Sequence, residues 1–331
     1  KQLDFGLGIT GMSRDVSWGF YIANFTFLVG VAAGGVMVVL PYYLHDYKAY
    51  GKVTILGEFL AIASVVMCIT FILVDLGQPM RVMNVLLYPS PKSVLFWNTI
   101  VQNGYLFLNL IIGWNVLEAE RNGVHYQSWL KPLIYLSIPW AVSIHTVTAY
   151  LYCGLPGRGF WLTAVLAPRF LSSAFASGPA LLILLCLVIR RVTNFDPGWK
   201  QIQSLAVTVA YAICINVFFL LCEVFVAFYS GIPEHMDHLI YLFAGLQGKG
   251  AYVPWMWTSM ALMVTGIILL VNPITRKNEL TLIVGCICVF FGCWIDKGMG
   301  MISGGFVPNP LHEVNEYIPT LMEGMVTLGV Y

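Results

Sequence analysis

SLAVTVAYAICINVFFLLCEVFVAFY is the stretch from Ser204 to Tyr229, and Glu223 is its only charged residue. A helix needs about 20 apolar residues to cross a hydrocarbon core about 30 Å thick, so this stretch predicts a membrane-spanning helix. Glu223 is unexpected there, because an ionisable side chain at membrane depth costs at least roughly 2.5 kcal/mol. The stretch therefore indicates both a membrane fold and a candidate functional position inside it.

The whole chain has the same apolar character. Of its 331 residues, 59% are apolar and only 10% are charged, against roughly a quarter charged in a soluble domain. The net charge of +1 provides no basic stripe, which excludes a nucleic-acid-binding protein. The eight cysteines form no C-x2-C pair of the kind that binds zinc or an iron–sulfur cluster, so they are predicted to be small core residues.

Eight stretches are long and apolar enough to cross a membrane, and Pro- and Gly-rich turns separate them. They run approximately over residues 18–44, 53–75, 96–117, 132–152, 165–189, 204–229, 252–271 and 279–297. The predicted fold class is therefore an all-α polytopic membrane protein with no soluble domain. In the first span, the small residues Gly30, Ala32, Ala33, Gly34 and Gly35 would let another helix approach closely.

Eight crossings place both ends of the chain on one side of the membrane, which we call the terminal face. The loops near residues 45–52, 118–131, 190–203 and 272–278 then lie on the opposite side. Lys and Arg are divided almost evenly between the two sides, but those of the opposite side stand in short loops, where positive charge sets orientation. We therefore predict that these loops are cytoplasmic and that the terminal face is on the opposite, non-cytoplasmic side.

The segment after the eighth span is rich in Gly and Pro from Gly298 to Pro310. From Ile318 it reads IPTLMEGMVTLGVY and stops while it is still apolar. This ending predicts the start of a further membrane helix that continues beyond Tyr331. The alternative is an amphipathic helix on the membrane surface.

Polar side chains of the first four spans converge on the terminal face. Helix direction places there Asn24 and Thr26 of the first span, Asp75 of the second, Asn98, Gln102 and Asn103 of the third, and His145 of the fourth. Taken singly, Asp75 is explained by an interfacial position, and His145 by packing in the core. Together they predict a site, in which Asn24, Asp75 and His145 line one crevice.

A quinone needs this combination of groups. Its reduction takes two electrons and two protons, so its oxygens need hydrogen-bond donors and a nearby group must deliver protons. We predict His145 and Asp75 as the catalytic residues. The predicted quinone-binding set is Asn24, Asp75, His145, Asn98, Gln102 and Tyr105.

Four further charged residues are candidates for a proton relay, namely Glu58, Glu223, Asp296 and Lys297. The alternatives are an interfacial position for Glu58, a structural pair with a helix neighbour for Glu223, and an interfacial ion pair for Asp296 and Lys297. A haem b site would need paired histidines within spans, and only His145 clearly lies inside one. We predict no haem, metal or cluster in this chain, and a surface position for the pair His235 and His238.

Several motifs in order along the chain resemble one family. They are Ala32-Ala33-Gly34-Gly35, the turn Asp75-Leu76-Gly77-Gln78-Pro79-Met80-Arg81, Ser143-Ile144-His145-Thr146, and Ala167-Pro168-Arg169-Phe170. They resemble the NrfD/polysulfide reductase (PsrC-like) family of membrane subunits. The ending, from Asp296-Lys297-Gly298-Met299-Gly300 through Phe306-Val307-Pro308 to Glu316-Tyr317-Ile318-Pro319-Thr320, looks most like the DsrP/HmcC-type subunits of sulfate-reducer redox complexes. Gln78 stands where that family often has Arg.

The resemblance implies two four-helix bundles, residues 1–155 with the quinone site and residues 156–297, followed by the segment 298–331. It implies a haem-free menaquinone site near the periplasmic face and a docked ferredoxin-like iron–sulfur subunit, in a complex that can include a multihaem cytochrome c. The expected function is electron exchange between menaquinone and that partner, with proton transfer. The rival functions are a structural membrane anchor and a secondary transporter.

Overall fold

The computed structural model describes residues 2–35, 50–124 and 126–331, and these are mostly helical. The longer helices are α1 (Phe20–Gly34), α2 (Gly51–Asp75), α3 (Val94–Arg121), α4 (Leu130–Cys153), α5 (Leu166–Val192), α6 (Trp199–Ser230), α7 (Pro233–Phe243), α8 (Val253–Val271), α9 (Glu279–Cys293) and α10 (Leu321–Val330). Shorter α-helices are Gln2–Phe5, Asn84–Leu87 and Pro273–Lys277, and single 3-10 turns are Gly6–Ile9, Pro79–Arg81 and Gly159–Trp161.

Seven helices in the described part of the chain are long and apolar enough to cross a membrane. They are α2, α3, α4, α5, α6, α8 and the continuous helix that α9 begins, from Glu279 to Phe306. The all-α polytopic class is thus confirmed. The first predicted span is represented by α1, which is apolar and has 15 residues. Residues 36–44, which complete that prediction, lie outside the described residues.

The predicted end of the eighth span at residue 297 is wrong. The helix continues through a π-helical turn, Trp294–Gly300, and a last α-helical segment, Met301–Phe306. The glycines of this segment do not end the helix, because they are buried against large side chains. A Cβ on Gly305 would lie 1.9 Å from the ring of Trp161. The Gly- and Pro-rich segment that begins at Gly298 is therefore helical as far as Phe306.

The membrane helices pack in two groups. In the first, α1, α2, α3 and α4 contact one another in order, and α4 contacts α1 again. In the second, α5, α6, α8 and α9 do the same. The groups join where α1 crosses α5, and there a Cβ on Gly34 would lie only 2.6 Å from the Cα of Gly178. The predicted close approach of another helix to the small residues of α1 is confirmed.

Glu323 ties both end segments of the described chain to α1. Its buried carboxylate accepts hydrogen bonds from the backbone N–H groups of Gly11 and Thr320, at 2.9 and 2.8 Å, and from the Tyr317 hydroxyl at 2.5 Å. The same hydroxyl accepts from the backbone N–H of Phe20 at 2.7 Å. Burial and the hydrogen bond to Glu323 raise the pKa of Tyr317, which keeps this phenol a donor. The predicted C-terminal segment contains the helix α10, and this clamp holds it against α1 and α2.

Candidate functional site

An apolar groove lies between α1, α2, α5, α9 and α10, near the start of α1. Its volume is about 630 Å³, within the range of roughly 300–1,000 Å³ typical of small-ligand sites. It is lined by Phe20, Asn24, Leu28, Ser64, Met67, Leu181, Phe290, Phe291, Trp294, Leu321, Gly324, Met325, Thr327, Leu328 and Tyr331. Apolar walls with a few polar side chains are typical of ligand sites.

Two hydroxyl groups in this wall have unused hydrogen-bonding capacity. Ser64 of α2 and Thr327 of α10 are buried, and their side-chain oxygens have no hydrogen-bond partner among the described residues. Buried polar groups in folded proteins are nearly always hydrogen-bonded. Ser64 and Thr327 therefore mark where the groove could hold a polar atom of a ligand.

Asn24 is held in a fixed orientation in the same wall. Its Nδ2 donates to the Phe20 carbonyl at 2.7 Å, and its Oδ1 accepts from the Trp294 indole and the Tyr331 hydroxyl, each at 3.0 Å. Trp294 begins the π-helical turn, so Asn24 connects α1 with the helices on both sides of the groove. The amide is thus a rigid part of the wall.

Asp75 ends α2 and does not line this groove. Its Oδ1 is buried and has no hydrogen-bond partner among the described residues. Tyr21, Tyr152 and Glu323 lie within electrostatic range of the carboxylate. Asp75 and Glu323 are thus neighbouring acids, of which the sequence singled out only Asp75.

His145 lies inside the protein, where α4 meets α1. It is 1% exposed, and neither ring nitrogen has a hydrogen-bond partner among the described residues. A Cβ on Gly30 would lie 3.8 Å from His145 Nε2 and 3.0 Å from Lys297 Nζ. The missing side chain of Gly30 thus lets an imidazole and an amine approach the same point.

The remaining predicted quinone-binding residues lie on α3. Asn98 Oδ1 accepts hydrogen bonds from the Thr148 hydroxyl at 3.0 Å and from Gln102 Nε2 at 3.4 Å. The Tyr105 hydroxyl donates to the Ala32 carbonyl at 3.4 Å. These buried contacts connect α3 to α4 and α1, and none of the three α3 residues lines the groove.

Of the six residues predicted to bind a quinone, Asn24 alone lines the groove, and the structure adds Ser64 and Thr327 to it. No sequence signal distinguished Ser64 and Thr327, because hydroxyl residues are common in apolar helices. Their significance depends on what faces them across the groove.

Arg169 forms a buried ion cluster with Glu223 and Asp296. Its guanidinium donates to both carboxylate oxygens of Asp296, at 2.7 and 2.9 Å, and to the carboxylate of Glu223. The Nη2 atom donates to both oxygens of Asp296 and Nη1 donates to Glu223, and charge-assisted bonds of this kind are stronger than neutral ones. They allow three charged groups to remain inside an apolar helix assembly.

This cluster gives the ion-pair partners of two of the candidate relay acids. Glu223 forms the structural pair with a helix neighbour, and its partner is Arg169 of α5. An interfacial ion pair of Asp296 and Lys297 is wrong, since they are 2% and 4% exposed and Asp296 pairs with Arg169. The reason is that their helix runs on to Phe306, so both residues lie in its buried interior.

Glu58 is also buried, in the first half of α2. Its Oε2 would lie 3.6 Å from a Cβ on Gly113, and it lies within electrostatic range of Tyr105. Because Asp75 ends the same helix, the two carboxylates of α2 lie far apart along it.

Comparison with known proteins identifies the family of this chain. Residues 8–306 match the family model described as polysulphide reductase, NrfD. The chain belongs to the NrfD family. It is 25% identical to a putative dimethyl sulfoxide reductase membrane subunit of Halobacterium salinarum, covering 99% of this chain and 83% of that protein.

Two further relatives carry related names. Identity is 23% to a selenate reductase subunit of Mesobacillus selenatarsenatis, covering 99% of this chain and 85% of that protein. It is 25% to an Hdr-like menaquinol oxidoreductase integral membrane subunit of Archaeoglobus fulgidus, covering 67% of this chain and 54% of that protein. The family resemblance deduced from the motifs is confirmed, and this NrfD-family chain is an integral membrane protein.

No role was predicted for Arg169, although a signal was present in this NrfD-family chain. Arg169 is the only charged residue in the apolar stretch 165–189. The cost of a charge at membrane depth applies to arginine as it does to glutamate. The same argument that singled out Glu223 would therefore have identified its partner.

The predicted surface position is wrong for His238. His238 is 5% exposed, and its Nδ1 lies 3.0 Å from the Val307 carbonyl oxygen. Burial lowers the pKa of His238, and the hydrogen bond to Val307 partly opposes this. His235, one turn away, instead lines a cavity of about 110 Å³ together with Glu223. The two histidines of this NrfD-family chain thus have different surroundings.

Proposed function

We propose that this NrfD-family chain is a quinone-interacting integral membrane subunit of a respiratory redox complex. It exchanges electrons between the menaquinone pool and an iron–sulfur partner subunit, and it binds no haem of its own. The family match and the name of the Archaeoglobus relative, a menaquinol oxidoreductase membrane subunit, support the proposal.

The groove at Asn24 carries the proposal. Its aromatic and aliphatic walls suit a quinone ring and an isoprenoid tail. The hydroxyls of Ser64 and Thr327 can donate to quinone oxygens, which are hydrogen-bond acceptors. Asn24, held by Trp294 and Tyr331, keeps this wall rigid, so little ordering is needed on binding.

Protons for quinone reduction are proposed to pass through Asp75 and His145. Both present buried polar atoms without a hydrogen-bond partner among the described residues. Histidine titrates near neutral pH in water, which suits a proton donor. Since neither residue lines the groove, each acts through intervening groups. Glu323, which lies within electrostatic range of Asp75, is proposed as one of these groups.

The α3 residues remain proposed members of the site in a positioning role. Asn98 accepts a hydrogen bond from Thr148, which is one turn from His145 on α4. Gln102 donates to Asn98, and Tyr105 bonds to the backbone of α1. Together they hold the His145 side of α4 against α3 and α1.

A proton relay is proposed through the charged residues of the interior. Glu58 carries protons in the half of α2 that lies away from Asp75. Glu223, Asp296 and Lys297 carry protons in the second helix group. The cavity that Glu223 shares with His235 supports this, because it extends from the ion cluster to a histidine beyond the end of α6.

We place the groove toward the periplasmic face of the inner membrane, with the ferredoxin-like iron–sulfur subunit docked on that face. The complex further includes a multihaem cytochrome c or other redox subunits. The positive charge of the short loops on the opposite side of the membrane supports this placement of the groove.

The test uses the purified complex and the double substitution Ser64→Ala with Thr327→Val. Each lost hydrogen bond corresponds to about 1 kcal/mol, so turnover with a menaquinone analogue should fall by at least about ten-fold. Thr70→Val is the matched control on α2, because the Thr70 hydroxyl bonds only to the backbone of its own helix, at 2.9 Å from the Val66 oxygen. Unchanged quinone turnover in the double variant would favour a structural anchor instead.

A further inference from the structure

The amine of Lys297 is buried and makes only weak contacts with the described residues. Lys297 is 4% exposed, and its Nζ lies 3.4 Å from the Phe170 carbonyl oxygen and 4.5 Å from the centre of the Phe170 ring. An ammonium group has three donors, and a bond of 3.4 Å is a long one. Its hydrogen-bonding capacity is therefore only partly used by these contacts.

Room for single water molecules exists beside Lys297. A cavity of about 10 Å³ is lined by Lys297, Asn216, Ser173 and Asp296, among others. That is about the room one water molecule needs. The Asn216 Oδ1 is buried there without a hydrogen-bond partner among the described residues. The surroundings of Lys297 are thus polar and large enough for bound water.

Lys297 and His145 come close to each other at Gly30 of α1. Lys297 Nζ and His145 Nε2 both lie within 4 Å of the point that a Gly30 Cβ would occupy. These distances of 3.0 and 3.8 Å bound the separation of the two nitrogens, and one bridging water, with hydrogen bonds of about 2.8 Å on each side, can join nitrogens up to about 5.6 Å apart. The π-helical turn aims Lys297 there, because it packs directly against α1.

We propose that Gly30 keeps open a passage for one water molecule, through which Lys297 passes a proton to His145. The Lys297 ammonium donates a proton to the water, and the water donates one of its protons to the imidazole nitrogen. The amine is left neutral and the imidazole becomes an imidazolium, so one positive charge moves and no atom is lost. Gly30 is a positioning residue, and the passage joins the ion cluster of the second helix group to the histidine of the first.

This inference rests on the proposed function, since it supplies the route by which protons reach the quinone side. It also differs from a purely structural role for Gly30. A structural glycine would matter through packing alone, whereas this one should matter through proton transfer.

The experiment compares Gly30→Ala with Gly329→Ala in the purified complex. At Gly30 the new methyl group would fill the passage, whereas a Cβ on Gly329 meets nothing within 4 Å. Removing one step of acid–base transfer should slow quinone turnover of Gly30→Ala by at least about ten-fold. The solvent deuterium isotope effect should increase in this variant, because proton transfer becomes rate-limiting. Gly329→Ala should match the wild type in both measurements.

A high-resolution cryo-EM map of the wild-type complex keeps the test valid if Gly30→Ala fails to assemble. We expect one solvent peak within hydrogen-bond distance of both Lys297 Nζ and His145. A map without this peak, or a Gly30→Ala complex with wild-type turnover and isotope effect, overturns the passage. A wild-type complex without any quinone turnover would refute the proposed function instead, so the two failures are distinguishable.

Discussion

Arg169 donates hydrogen bonds to both carboxylate oxygens of Asp296, at 2.7 and 2.9 Å, although the two residues are 127 positions apart in the chain. The contact fastens α5 to the π-helical turn that follows α9. Removing one partner of a buried ion pair leaves an uncompensated charge, which destabilises a protein more than replacing the whole pair with apolar residues. The turn that carries Lys297 is therefore held in place by its neighbour Asp296.

Replacing Arg169 with Leu should destabilise the complex strongly. Glu223 and Asp296 would lose their guanidinium partner inside the protein, a change that costs about 3–5 kcal/mol for buried pairs. Thermal unfolding of the purified complex measures the loss. Adding Glu223→Gln and Asp296→Asn to Arg169→Leu should restore part of it, because the buried negative charges are then gone.

The matched control for this prediction is Arg191→Leu. Arg191 pairs with Glu279 at 2.7 Å, but its side chain is 71% exposed. Exposed pairs contribute about 1 kcal/mol or less. A loss in Arg191→Leu equal to that in Arg169→Leu would contradict the structural role of the cluster.

Substituting His145→Ala or Asp75→Asn should abolish quinone-dependent turnover, since each removes a titrating group from the proposed proton supply. The complex should still assemble, and an artificial donor should still reduce its iron–sulfur partner. Thr146→Val is the control, because Thr146 is next to His145 and its hydroxyl bonds only to the Val142 carbonyl of α4, at 3.0 Å. Normal quinone turnover in both test variants would favour the anchor function.

Glu323→Ala should loosen both end segments at once. The Gly11 and Thr320 N–H groups and the Tyr317 hydroxyl would lose their acceptor, at a cost of at least about 2 kcal/mol. Hydrogen exchange followed by mass spectrometry should then be faster around Gly11 and in α10. Glu323→Gln keeps one acceptor oxygen and should show a smaller effect. Unchanged exchange in Glu323→Ala would show that the clamp does not hold these segments.

Acidification should destabilise the protein partly through His238. Burial lowers the pKa of His238 in the folded state, so the unfolded chain, with an imidazole pKa of about 6.5, binds more protons as the pH falls below that value. Stability is therefore present above about pH 6.5 and is lost on acidification. Unfolding temperatures at about pH 7.5 and 5.5 measure this, and His238→Gln should show a smaller decrease.

The control for the pH prediction is His312→Gln, because the His312 side chain is 57% exposed. It should keep the pH dependence of the wild type. If His238→Gln and the wild type lost the same stability on acidification, another buried group would be responsible.

Much of this architecture could be predicted from the sequence alone. The run from Ser204 to Tyr229 had to be a membrane helix, because only a helix satisfies its own backbone hydrogen bonds in lipid. The cost of burying a charge singled out Glu223 and Asp75 by the same local argument. Gly34 among other small residues predicted a close helix crossing, and the family motifs predicted the NrfD assignment. Each of these conclusions depends on neighbours in the chain.

Contacts between distant residues were decided only by the tertiary structure. Asn24 lies near the start of α1, as its position in the chain requires, but the rotation of α2 and α10 determines that Ser64 and Thr327 share its groove. The π-helical turn moved Asp296 and Lys297 from a supposed membrane interface into the interior. Rotation and register arise from packing between helices, so sequence periodicity within one helix cannot determine which faces meet.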